Sequence, residues 1–261
     1  MYFTVNKMIM IHIAFVLLTL ISCNSWNKNK SVEPKLRCIE VLQVYPDITK
    51  EGKFKGYDTM SVQVYYYKDM QLYHLYYKYS YTSGSVKLIS EMRDHFFVYK
   101  NGENYGFDYS RYKADAGIRR TLDSAFAFEW IKRNNIYYAF TSSNATLVSA
   151  NSNPDSGTRH EVYDFRIAPD TAIIGSCYLS YFNKLKDIDI TLCKELDSIK
   201  NMKLYQARFV NKQRILKNSG YLIDAFESYY YLKEIPVTNQ PEILSYFDRF
   251  IKDNDKLKRG G

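Results

Sequence analysis

Residues 61–81, SVQVYYYKDMQLYHLYYKYSY, hold two β-rich runs, Ser61 to Lys68 and Gln71 to Tyr81, joined by a short connection at Asp69-Met70. Along the second run Tyr73, Leu75, Tyr77, Tyr79 and Tyr81 alternate with His74, Tyr76 and Lys78. Successive strand side chains point to opposite sides, so the two sets line opposite faces. Valine and tyrosine suit a pleated, half-buried surface. Two such runs with so short a link pair antiparallel, because a parallel pair needs a long crossover. The stretch predicts a hairpin and sets the fold class.

The flanking sequence repeats the pattern. HFFVYKNGENYGFDYS (95–110) places Asn101-Gly102 between alternating segments, a hairpin signal because both residues accept positive φ. Upstream, CIEVLQVYP (38–46) reads as an entering strand stopped by Pro46. The first half is therefore expected to be an antiparallel meander.

In IRRTLDSAFAFEWIKRNN (118–135), Ile118, Leu122, Ala125, Phe126 and Trp130 fall at helical spacing, which predicts a central helix although its aromatic content also suits a strand. IYYAFTSSNATLVSA (136–150) is strand-like again, and NSNPDSGTRHE (151–161) is the densest loop signal, a boundary or a hairpin tip. EVYDFRIAPDTAIIGSCYLSYF (161–182) reads as two strands about Pro169-Asp170, and further strands follow. The last helix, NQPEILSYFDRFIKDND (239–255), has Pro241 in its first turn, Glu242 complementing the dipole, and an apolar stripe of Ile243, Tyr246, Phe247, Phe250 and Ile251. The expected class is α+β: a predominantly antiparallel β-sheet meander, one central helix and a C-terminal amphipathic helix. Residues 35–254 make one domain, and 255–261 read as a disordered tail.

The amino terminus is of another kind. In IAFVLLTLISCNSWNKNK (13–30) an apolar run meets one cysteine and turns polar and basic. The apolar core from Met8 to Ile21 is short for a span of roughly 20 residues and suits a secretory signal. Its end, Leu20-Ile21-Ser22-Cys23, resembles the lipobox of bacterial lipoproteins. That resemblance implies that residues 1–22 are removed and that Cys23 is acylated, with residues 23–34 a flexible tether. Asn24 is not the aspartate that in such lipoproteins favours inner-membrane retention, so the resemblance implies the outer membrane. Lys28 and Lys30, in place of acidic residues, favour its periplasmic face over the cell surface. The runs PDTAIIGSCYLSYF and LDSIKNMKLYQARF are similar to small envelope lipoproteins of Bacteroidota type, a likeness that implies no activity.

The net charge of +8 comes from 36 basic and 28 acidic residues, intermixed and not in a stripe. It supports solubility and attraction to anionic envelope surfaces, and since the charges form no stripe and an exported protein rarely meets nucleic acid, no nucleic-acid partner is expected. Cys38, Cys177 and Cys193 sit among apolar neighbours with no C-x-x-C spacing, as small buried hydrophobes or one disulfide. The 26 tyrosines have two readings, the codon bias of an AT-rich genome or ring faces for a ligand. On the second, Tyr65, Tyr67, Tyr73 and Tyr77 are candidates for stacking on a glycan.

No nucleophile elbow, Walker loop, dinucleotide fingerprint or H-E-x-x-H occurs, so no catalytic, cofactor-binding or metal site is assigned. Asp94-His95 points acid and imidazole to opposite strand faces. His160-Glu161, with Asp155, is the nearest approach to a cation site. Asp108, Asp115, Glu129 and Asp164 are the carboxylates available to a hydrolase. The sequence thus predicts a lipid-anchored envelope protein that binds an envelope protein, a lipid or a glycan, with a carboxylate-dependent hydrolase as the alternative.

Overall fold

A computed structural model describes residues 35–83, 87–110, 117–122, 145–166, 173–215 and 220–259. Leu36–Gly261 is one compact unit. Its class is α+β, dominated by an eleven-stranded antiparallel sheet.

The first meander runs β1 (Arg37–Ile48), β2 (Phe54–Tyr67), β3 (Met70–Ser83), β4 (Lys87–Lys100), β5 (Tyr105–Ser110) and β6 (Ile118–Thr121), each paired with the next. The second runs inward from the other end, through β7 (Ala145–Asn153), β8 (Thr158–Arg166), β9 (Ile173–Phe182) and β10 (Lys203–Asn211). A small hairpin, β11 (Arg214–Ile215) and β12 (Leu222–Ile223), leads to β13 (Phe226–Ile235). β13 lies between β10 and β1, antiparallel to both, and joins the meanders into one sheet.

The β2–β3 turn is Lys68-Asp69, one residue earlier than the sequence indicated, with Lys68 at φ +55°. At the β4–β5 turn Gly102 takes φ +86°, which costs glycine nothing. The Asn153–Gly157 segment is a hairpin tip: the Asn153 side-chain oxygen accepts the N–H groups of Asp155 and Ser156 at 3.1 and 3.2 Å. β1 continues through Pro46 to Ile48. Its pairing with β13 ends at Val44, so Pro46 sits where one side of β1 is unpaired, a position that tolerates a missing N–H.

The central helix expected from Ile118 does not begin there. Ile118–Thr121 is a strand paired with Tyr105–Asp108, and Ile118 is exposed. Ladder hydrogen bonds at the β5 edge hold Ile118–Thr121 extended, and Leu122 just beyond it packs against the core. The rest of that segment lies outside the described residues.

Two helices are described. α1 (Lys194–Lys200) is short and ends on Asn201 at φ +54°. α2 (Gln240–Arg259) carries the expected stripe: Ile243, Tyr246, Phe247 and Phe250 are buried, while Ile251 is exposed. It continues through Asp255–Arg259, the stretch whose charge suggested a tail; Lys256, Lys258 and Arg259 complement the carboxyl end of its dipole.

Each face of the sheet has its own core. On one, α2 packs over Cys38, Tyr65, Leu72, Phe96, Val98 and Phe107. On the other, the β9–β10 connection folds back over the sheet. A 3-10 turn at Asn183–Leu185, then Ile188, Ile190, Leu192, Cys193 and the α1 residue Leu196, join a core with Val64, Tyr73, Phe97, Tyr99 and Leu179. Arg37 to Asp187 at 2.7 Å, and Gln71 to Asp189 at 2.8 Å, hold this strap down.

Candidate functional site

The cross-strand row Gln63 (β2), His74 (β3), Phe96 (β4) and Tyr109 (β5) lies under α2, each residue directly opposite the next. Where this row meets the head of α2 there is a cleft of about 170 Å³. Gln63, Tyr65, His74, Asp94 and Phe96 form its sheet side, and Thr238, Asn239, Glu242 and Ile243 its helix side.

The polar groups are linked. Asp94 Oδ1 lies 2.8 Å from His74 Nε2, so the ring donates to the carboxylate from that nitrogen. Gln63 Oε1 accepts the Tyr65 hydroxyl at 2.7 Å and lies 3.4 Å from His74 Nδ1. On the helix side the Asn239 amide donates to the Glu242 carboxylate. Asn239 is at φ +53°, a left-handed conformation that asparagine tolerates better than most residues. Its carbonyl accepts the Glu242 and Ile243 N–H groups at 3.1 and 3.3 Å.

The apolar wall is rigid. Phe96 is sandwiched between His74, centroids 4.4 Å apart, and Tyr246 at 4.2 Å. Burial, with Cys38 and Glu242 beside it, pushes the Tyr65 phenol well above its ordinary range. Burial likewise pushes the Cys38 thiol up to about 12. Both therefore stay protonated at neutral pH, and Cys38 is no nucleophile, since the thiolate is the reactive form. What the cleft can do is hydrogen-bond a ligand and move a proton through the His74–Asp94 pair.

The proposed stacking tyrosines do not form a platform. Tyr65 is 3% exposed in the cleft wall, and Tyr67 is half-buried against Phe247 at 5.6 Å. Tyr73 is buried on the opposite face, stacked on Tyr99 at 6.0 Å. Tyr77 pairs with Arg93 in the β3–β4 ladder, and its side chain lies outside the described residues. Two of the four faced inward because alternation sent them to two separate cores. Cys23 also lies outside the described residues.

The remaining candidates separate. Asp94 and His95 do point to opposite faces, and each finds a partner on a neighbouring strand. His95 Nε2 is 3.1 Å from Asp108, which Arg120 also contacts at 2.8 Å. Burial lowers the His95 pKa, and Asp108 opposes that shift. Glu161 is no cation ligand: it is buried and bound by Arg159 at 2.7 Å, Lys200 at 2.8 Å and Tyr163 at 2.9 Å. Burial acts to raise its pKa, but those hydrogen bonds outweigh it and hold the carboxyl below its usual range. His160 bonds Ser180 at 2.9 Å, and Asp164 accepts the Ser176 hydroxyl at 2.7 Å. Asp115 and Glu129 lie outside the described residues. Cys38, Cys177 and Cys193 are buried free thiols. Among the described residues no cluster of His, Cys, Asp or Glu could hold a metal ion.

Gln63, Asp94, Thr238 and Asn239 carried no signal in the sequence that joined them. The usable hints were Tyr65 and His74 on their tyrosine-rich strands and Glu242 in the first turn of α2, and none of them says that the others lie beside it. No protein-family model matches the chain, and no curated protein matches it.

Proposed function

We propose that this chain is a lipid-anchored cell-envelope protein whose domain is a binding module, with the cleft under the head of α2 as its ligand site. The observation that carries the binding reading is the convergence of Gln63, His74, Asp94 and Glu242 from four separate elements on one cleft, as small-molecule sites require. The anchor rests on Leu20-Ile21-Ser22-Cys23, and the outer membrane, periplasmic face, on the tether that follows.

Two experiments test the two parts. Cys23→Ala should abolish acyl-chain labelling and release the protein from membranes; retained labelling would defeat the anchor. For the cleft, envelope material separated into polysaccharide, lipid and protein pools is added to the wild-type protein while the His74 ring resonances are followed. At least one pool should shift them, and none shifting them would defeat the binding site.

A second reading has one observation in its favour. Asp94 and Glu242 face the same cleft from opposite walls, the kind of arrangement that paired-carboxylate hydrolysis needs. Turnover of a bound glycan, lost in both Asp94→Asn and Glu242→Gln, would establish it.

A further inference from the structure

The chemistry of the cleft narrows its ligand, given the reading that the cleft is the binding site. Its lining holds two carboxylates and neither lysine nor arginine. The positive end of the α2 dipole, which would otherwise attract an anion, is already answered by Glu242 in the first turn. A phosphate, a carboxylate or an anionic headgroup would therefore face two carboxylates, and the one imidazole of the lining, His74, is already engaged by Asp94.

An apolar chain fits no better. Only Phe96 and Ile243 among the lining residues are without a polar side-chain atom, and Phe96 has both ring faces covered by His74 and Tyr246. The same sandwich removes the open aromatic face that a bound cation would need.

What remains on offer is a mixed set of donors and acceptors. Asp94 and Glu242 accept, the Gln63 and Asn239 amides do both, and the Thr238 hydroxyl turns to suit. Hydroxyl groups are the ligand chemistry that uses such a set, since each donates one hydrogen bond and accepts others. The volume of about 170 Å³ lies below the roughly 300–1,000 Å³ of sites for drug-sized ligands. It holds one ring, not a chain of rings.

We infer that the cleft binds a single uncharged sugar residue, free or at the end of a glycan, with Asp94 and Glu242 accepting from its hydroxyls. Edge-on hydrogen bonding replaces the ring stacking that the tyrosine-rich strands suggested.

The test titrates the full-length protein with methyl glycosides of uncharged hexoses, beside glucuronate as an anion and glucosamine as a cation. Binding is read by saturation-transfer NMR and calorimetry. At least one uncharged glycoside should bind and glucuronate should not. Asp94→Asn and Glu242→Gln should each weaken that binding by roughly tenfold or more, because a hydrogen bond to a charged group is lost, while Asp155→Asn at the distant hairpin tip should leave it unchanged. Preference for glucosamine, lost in both variants, would overturn the uncharged class and leave the cleft as a binding site. Binding that survives both substitutions would overturn the location. If no glycoside binds, the sugar assignment fails, and the shift of His74 by a lipid or protein pool then decides separately whether the module binds anything.

Discussion

Asp94 and His95 are neighbours on β4, yet each belongs to a different histidine–carboxylate pair on a different face of the sheet. His74–Asp94 lines a cleft under α2 with side chains 21% and 16% exposed. In His95–Asp108 the acid is the more enclosed, at 7%, while His95 is 18% exposed and Arg120, which completes the cluster, reaches the surface. The side-chain chemistry is the same, and the covers differ. α2 crosses its face as one rigid rod and leaves a gap at its head. On the other face Leu185, Ile188, Ile190, Leu192 and Leu196 press the β9–β10 connection onto the sheet. A long helix meeting a pleated surface leaves clefts at its ends, whereas a strap can settle into every hollow.

The largest effect should come from lifting one cover. Phe247 is fully buried beneath α2, and Phe247→Ala should cost about 3–5 kcal/mol, the usual range for removing a core phenylalanine. Urea unfolding measures it. A loss below about 1 kcal/mol would mean that α2 is not what seals that face.

The two acids should then part company. Asp108→Asn puts a neutral amide at a buried position between Arg120 and His95 and should cost about 2 kcal/mol. Asp94→Asn, at a partly open cleft, should cost under about 1 kcal/mol and act on ligand binding instead. Equal stability losses in the two variants would mean that the two acids are equally enclosed.

The smallest effect is in pH dependence. His95 has a folded pKa below its unfolded value of about 6.5, so the unfolded chain takes up the proton first. Stability linked to His95 is therefore fully present above about pH 6.5 and is lost as pH falls from there through the folded pKa. Comparing wild type with His95→Gln in urea unfolding between pH 7.5 and 5, roughly the histidine range, should show the shallower decline in the variant. An identical slope would mean that His95 takes up its proton equally well folded and unfolded.

Much of the sheet was legible in short windows. The alternation of Tyr73, His74 and Leu75 correctly separated two faces, and Asn101-Gly102 marked a turn. Hairpins are visible because strand, turn and partner lie within a few residues. The strap was not read, although Ile188, Ile190 and Leu192 alternate as a strand would. They bury one side without pairing, and only the sheet beneath explains them. Ile118 misled for the opposite reason: its helical spacing to Leu122 was real, but Ile118–Thr121 completes the ladder at the β5 edge.

The cleft was the least legible part. Gln63, His74 and Phe96 are opposite one another only in the observed register, and a one-residue slip would send each to the other face. Glu242 joins them from the far end of the chain, a separation that no local pattern bridges. The local sequence by itself determined the antiparallel hairpins, the amphipathic face of α2 and the expectation of a lipid anchor at Cys23, because each depends on neighbours in the chain. The tertiary structure alone decided that β13 joins the two meanders, that Asp94 and His95 serve different faces, and that the end of α2 stops short over His74, because those depend on which distant surfaces bury one another.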